Sequence, residues 1–448
     1  MILKRRIQAI YIGIAVLVVA LLIVILLHTL LIKRENEKQQ NVESRLPTGD
    51  YLPDAEKPLI RVVIKTDGFK QTAHPEVKIS AKHGLVINVT RAETTTDGEI
   101  TQTTQELAAG ETLTLTPNHE LFQTGSLRIT TKQDSDRIII NSLTRGYGIP
   151  SYRGILELFS TAEGIVIVNE LPVEEYLYAV VPSEMPASYH AEALKCQAIC
   201  ARSYAYCQMQ TFGYPEYYAH VDDSVSYQVY GNSKEQEATT QAVNETAGKR
   251  LTFQNQVVKT YYYSTSCGHS TSVEAWGTEL SDSNNYLQGV AICGEDGSAY
   301  EADLPWYRWE AIISSQTLCN LIELNTGKEI GNLKKLEITK QGTGGIALQI
   351  TVTGTAKTIT IDTENKIRSA LGGSGYQITK QDGTVIESTR LLPSAFFTVA
   401  KNGENYIIKG GGYGHGIGMS QNGANEMAKA GKTHVEILKF FYPGTQVK

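Results

Sequence analysis

Hydrophobic and polar positions divide the chain into blocks of different period. Residues 7–32 form an uncharged apolar run, longer than the ~20 residues that cross a bilayer, directly after Lys4, Arg5 and Arg6. This predicts a transmembrane helix, with residues 1–34 as cytoplasmic stub and anchor. The flank after it mixes both signs of charge, so the positive-inside bias keeps the N-terminus cytoplasmic and sends the rest outward. No A-x-A-like site closes the run, which favours an uncleaved signal anchor over a removed signal peptide. Residues 35–58 are polar with Pro and Gly and read as a linker. From Leu59 the period changes to two, in RVVIK, VKISAK and LVINVT with turn residues between, so 59–170 is expected as a β-rich unit. Residues 171–299 hold a long helix-forming run, 300–390 read as an inserted subdomain with a short helix and several strands, and 391–448 as a glycine-rich loop with closing helices. The expected fold class is α+β, a β-rich domain packed with a helical segment plus a small inserted α/β subdomain.

Composition narrows what such a chain can do. At 448 residues and 41% hydrophobic, it can build two to three structural units with genuine cores. A net charge of −6 without a basic block leaves no footprint for nucleic acid. Tyrosine is abundant, 24 against 9 Phe and 3 Trp, which suits grooves that must be apolar yet hydrogen-bond, as for sugars, and equally suits strand packing.

The densest chemistry lies between Val180 and Cys207. Glu184 sits in a turn bracketed by Pro182 and Pro186 among Val180, Val181 and Met185. A carboxyl group in such surroundings loses hydration and its pKa rises, as a general acid requires near neutral pH. The competing reading has Glu184 capping the next helix or solvated on the turn. In the run that follows, Cys196, Cys200 and Cys207 share one helical face, expected to be buried. Lys195, Ile199, Arg202 and Tyr206 share a neighbouring face that could extend a cationic surface from Glu184, unless the charges pair with surface acids. The chain closes on GGGYGHGIGMSQ from Gly410, whose glycines permit close backbone approach but whose spacing fits neither a P-loop nor a dinucleotide fingerprint. Thr433 and Glu436 then read as a capping box for a last helix ending before Pro443.

These residues carry a resemblance. SEMP followed by EALKCQAICARSYA, with Tyr152-Arg153-Gly154, Val168-Asn169-Glu170-Leu171-Pro172 and Glu174-Glu175-Tyr176-Leu177 before it and the glycine-rich block at the end, is similar to the SpoIID/LytB family (stage II sporulation protein D and its relatives). The likeness spans roughly residues 59–442. Small residues stand in the family where Cys196 and Cys200 stand here, which favours buried packing for them. The resemblance implies a peptidoglycan lytic transglycosylase that cleaves the MurNAc-GlcNAc bond of glycan strands, including strands stripped of stem peptides by an amidase, and leaves 1,6-anhydroMurNAc ends. A glycosidase of the ordinary kind needs two carboxylates. Here the substrate's own C6 hydroxyl is the nucleophile, so Glu184 alone serves as acid and then base. Lys195 and Arg202 match basic positions of the family's helix and would line the glycan groove. Tyr204, Tyr263, Ser264, Ser266, His415 and Gln421 complete the expected substrate-binding set, against a reading in which they only structure local loops. The alternative function is a non-catalytic wall-binding enhancer of a partner amidase. Expected partners are glycan strands, the membrane through the N-terminal helix, and amidase and membrane partners of the sporulation wall-degrading machinery.

No cofactor is expected for that reaction. Some relatives bind zinc through a His/Cys set after the catalytic helix, but this chain keeps only His220 there, with Ser226 and no nearby cysteine. Cys267, His269 and Cys293 form a looser zinc candidate, since Cys267 and His269 share one side of an extended segment. An outward compartment also permits a Cys267–Cys293 disulfide, and free thiols remain open. A Cys267–His269 nucleophile lacks an orienting third group.

Overall fold

The computed structural model describes residues 49–52, 55–92 and 100–448. The expected transmembrane run and most of the linker lie outside these residues. Among the described residues, no helix is long and apolar enough to cross a membrane.

The architecture is mixed α+β. The period-two stretches form two sheets, one of eight strands and one of four. Towards one edge of the larger sheet, β1 (Leu59–Ile64) pairs antiparallel with β2 (Ile165–Pro172), Val62 opposite Asn169. On its other side β1 pairs parallel with the short β3 (Val221–Asp222). Burial on both faces of β2 explains its continuous apolar run, IVIV, where alternation would leave one face wet.

Two helices follow β2 without a long connection. α1 (Val173–Glu184) starts at Pro172 with Glu174 and Glu175 in its first turn, where carboxylates complement the helix dipole. It ends at Glu184, because Pro186 pushes Met185 into an extended conformation (φ −133°, ψ 133°). Glu184 is therefore the last residue of a helix and not part of a free turn, and Pro182 sits inside that helix. α2 (Ala191–Gln208) is capped by His190, whose side chain accepts from the Glu192 N–H, so Glu184 is not its cap. Thirteen of its residues are buried, among them Cys196 and Cys200. Cys196 Sγ approaches the His434 carbonyl at 3.5 Å and Cys200 Sγ the Tyr442 hydroxyl at 3.6 Å, which ties this face to the C-terminal helix His434–Phe441. That last helix carries the Thr433–Glu436 capping box.

Arg202 is the largest fully buried side chain, and it lies inside the helical layer, away from any groove. Its Nε and Nη2 each donate to Glu174 of α1 at 2.7 Å, and its remaining donors reach the carbonyls of Val243 and Lys249. Val243 belongs to α3 (Glu237–Glu245), so one guanidinium cross-links three helices.

Residues from Trp309 to Gly410 form a five-stranded sheet (Trp309–Ser314, Gln377–Lys380, Val385–Glu387, Phe397–Asn402, Asn405–Gly410) and a three-stranded sheet (Leu333–Gln341, Ala347–Gly354, Thr358–Asp362), with helices Ser315–Thr326 and Glu364–Leu371. The chain then returns to the core. There β4 (Tyr262–Tyr263) pairs parallel with β5 (Met419–Ser420). Gly418 precedes β5 at φ +75°, and a Cβ there would lie 2.1 Å from the Tyr261 carbonyl oxygen, so only glycine lets the two segments close.

Replacing Arg202 with Met takes a donor away from two carbonyls and a carboxylate. Urea unfolding of this variant is expected to show a loss of about 3 kcal/mol, whereas an unchanged midpoint would contradict the cross-link.

Candidate active site

Glu184 is placed by helix geometry and kept there by the return of the chain. Its carbonyl accepts from Gln421 Nε2 at 3.0 Å, and Gln421 also donates to Gln197 of α2 at 3.2 Å. The side chain turns into a cleft of about 340 Å³, whose polar wall is Ser226, Gln228, Thr260 and His415 and whose apolar wall is Tyr204, Tyr227, Tyr261, Tyr262 and Trp276. Val225, on the rim, is 86% exposed. Glu184 is the sole carboxylate of that lining.

Burial pushes the Glu184 carboxyl up to about 7 from 4.5. Its position at a helix C-terminus, the negative end of the dipole, works in the same direction. Two donors partly offset this: the Val229 N–H, 2.7 Å from Oε1, and the Tyr262 hydroxyl. The phenol is itself held in place. Gln228 Nε2 donates to Tyr262 Oη at 3.1 Å, and Tyr176 Oη donates to Gln228 Oε1 at 3.4 Å. Burial and the nearby Glu184 charge raise the Tyr262 pKa well above its ordinary value, so the phenol stays protonated and donates.

The loop that supplies Val229 is anchored from below. Asp223 pairs with Arg145 and accepts from the Lys65 N–H at 3.0 Å, so this second buried acid faces away from the cleft. Asp222 Oδ1 accepts from Ser224 N–H at 2.8 Å, which closes the turn before Val225.

His415 forms the facing wall. Its Nδ1 accepts from the Ile417 N–H at 3.1 Å, so Nε2 carries the proton and donates to the Tyr262 carbonyl at 2.9 Å. Burial lowers its pKa to about 3, which keeps the ring neutral. Its ring lies 5.1 Å from that of Trp276, and Trp276 Nε1 donates to Glu364.

The expected substrate residues divide on inspection. Tyr204 and His415 line the cleft, and Gln421 supports Glu184 from behind. Lys195 does not reach it, because its ammonium is held by Glu192 at 2.9 Å and Glu245 at 2.8 Å. Arg202 is consumed by Glu174. Tyr263 alternates with Tyr262 along β4 and points the other way, 5% exposed. Ser264 bonds its neighbour Thr265 at 3.1 Å and Ser266 donates to the buried Glu301, so neither hydroxyl faces the cleft. Tyr262, Gln228 and the Val229 amide were missed; the Tyr261-Tyr262-Tyr263 run held the signal, but its phase along the strand was not readable.

His220 Nδ1 accepts from the Arg61 N–H at 3.0 Å and the ring stacks on Phe212. Cys267 and Cys293 are free thiols on two loop segments joined by an isolated bridge between His269 and Ala291, and His269 Nδ1 is bonded to the Ser270 carbonyl. Among the described residues, no group of three or more His, Cys, Asp or Glu is placed to hold a metal ion.

Known proteins share parts of this chain's sequence. The family described as Stage II sporulation protein matches residues 161–253, the stretch that carries α1, Glu184 and α2. Over 296 residues the chain is 32% identical to stage II sporulation protein D of Bacillus subtilis, covering 62% of this chain and 75% of the relative. The chain belongs to the stage II sporulation protein D family. An uncharacterized protein of Brachyspira hyodysenteriae is 32% identical over 66% of this chain and 72% of its own length. The amidase enhancer of Bacillus subtilis is 31% identical over 60% of this chain, but the match spans only 40% of that protein. A second match, a domain of unknown function (DUF8618), covers residues 278–418, so Tyr262 lies just before it and His415 within it.

Because Glu184 is harder to ionise folded (about 7) than unfolded (near 4.5), wild-type stability falls as pH rises between these values. Glu184→Gln removes this penalty. Paired denaturation curves should make the variant the more stable by up to about 3 kcal/mol near pH 8, with the gap closing near pH 4; a constant gap would contradict the raised pKa.

Proposed function

We propose that this protein is a peptidoglycan lytic transglycosylase, with Glu184 as its single acid and base. The observation that carries the reading is one carboxyl with a pKa near 7 as the sole acid of a tyrosine-lined cleft. Ordinary glycosidases use two carboxylates, and a second is missing from this lining. Transglycosylation needs only one. Protonated Glu184 gives its proton to the leaving glycosidic oxygen as the bond to the MurNAc C1 breaks. The resulting carboxylate takes the proton of the C6 hydroxyl as O6 bonds to C1. The 1,6-anhydro end forms without water, and Glu184 is left protonated for the next cycle. The neighbouring His415, neutral and already committed at both nitrogens, is a wall and not a competing base.

The family and its relatives' names support a role in the sporulation cell wall. Residues 7–32 would anchor the chain in the membrane, with the cleft outside. The amidase enhancer among the relatives favours a second reading, a wall-binding protein that stimulates an amidase without cutting glycan. The products separate the two readings.

Mass spectrometry of peptide-stripped glycan incubated with the full-length protein should detect anhydro-muramyl ends, and Glu184→Gln should lower their yield by at least about a hundredfold. Release of such ends by the variant would sink the mechanism. The acid role also requires cleavage to fall as pH rises through about 7. Tyr262→Phe removes a donor that favours the ionised carboxylate, so this limb should move to higher pH. A limb that moves down would argue against the Tyr262 contact.

A further inference from the structure

One part of the glycine-rich block is not used by the cleft. Gly412 and Gly414 adopt φ +80° and +120°, and between them the backbone turns Tyr413 outward, 40% exposed. A Cβ on Gly414 would lie 2.7 Å from that of Tyr263, so this presentation depends on glycine. The Tyr413 ring lies 4.7 Å from that of Trp306, and one cation flanks the pair: Lys380 Nζ is 4.8 Å from the Trp306 ring. Backbone bonds hold the group rigid. Gly412 N–H donates to the Trp306 carbonyl at 2.8 Å, and Tyr413 exchanges both bonds with Thr265, at 2.8 and 3.1 Å.

This surface is continuous with the cleft through the backbone. Thr265 is three residues beyond Tyr262 on the same segment, about 10 Å away if extended. Tyr413 is two residues from His415, which lines the cleft. A partly exposed aromatic pair with a basic neighbour suits a sugar ring that carries a carboxylate: the apolar face of a pyranose stacks on the ring, and the cation pairs with the acid.

Resting on the reading of Glu184 given above, we propose that Trp306 and Tyr413, with Lys380 beside them, form a remote carbohydrate-binding platform that holds the same carboxylate-bearing glycan strand whose bond is cut at Glu184. The platform makes the 278–418 domain a substrate-holding element of the enzyme.

The test uses full-length Glu184→Gln protein, which does not consume its ligand, and purified glycan strands freed of peptides and of phosphate polymers. Trp306→Ala and Tyr413→Ala, each in that background, are expected to weaken binding about tenfold, and Tyr413→Phe, which keeps the ring, to restore it. Lys380→Gln should weaken binding less, by an amount that disappears when the glycan carboxylates are amidated. Affinities within twofold of the parent for both alanine variants overturn the proposal, as does binding only to wall that retains phosphate polymers. If an alanine variant does not fold, hydrogen exchange of the parent decides: glycan should protect residues 305–308 and 412–414, and no protection there overturns the platform. Failure of the catalytic reading looks different, since the wild type would then yield no anhydro ends while platform variants still lost affinity.

Discussion

A carboxyl group at the last residue of a helix, deprived of water and of any cationic partner, is the constraint on which this molecule turns. Left to burial and the helix dipole, Glu184 would stay protonated beyond neutral pH. The Val229 amide and the Tyr262 phenol bring it back to about 7, where it can both give and take a proton. Without those two donors the group would be an acid only; with a cation beside it, as the sequence suggested, it would be a permanent carboxylate. The buried Arg202 is kept from doing this by its partner Glu174, on the preceding turns of the helix that ends in Glu184.

The parts of the site come from different stretches of the chain. The helix supplies Glu184, the loop after β3 supplies Val229 and Gln228, β4 supplies Tyr262, and the C-terminal block supplies Gln421 and His415. β4 and β5 are two residues long, so pairing alone is a weak constraint on them. Glycines at 414, 416 and 418 allow the close approach that packing then secures. The site is therefore complete only when the C-terminal residues have returned across the domain that separates them from β4.

Much of the scaffold was legible because it follows local rules. The alternating stretches after Leu59 became strands, the Cys196–Cys200 face was buried, and the Thr433–Glu436 box capped a helix. The misreadings arose where tertiary contacts overrule local ones. Pro182 read as a breaker, yet it is accommodated within α1, so Glu184 moved from a turn to a helix end. Lys195 and Arg202 have the spacing of a cationic groove, but each had a carboxylate closer in space than in sequence. Among three consecutive tyrosines, strand phase decides which one faces the acid, and phase depends on the parallel pairing of β4 with β5, more than 150 residues away in the chain.

The direct measurement is the ionisation of this one group. Difference infrared spectroscopy of the full-length protein, wild type minus Glu184→Gln, follows the protonated carboxyl band against pH. The account predicts a band that titrates with a midpoint near 7. A midpoint near 4.5, the value of a solvated glutamate, would contradict it, because the group would then be ionised wherever the enzyme has to act as an acid.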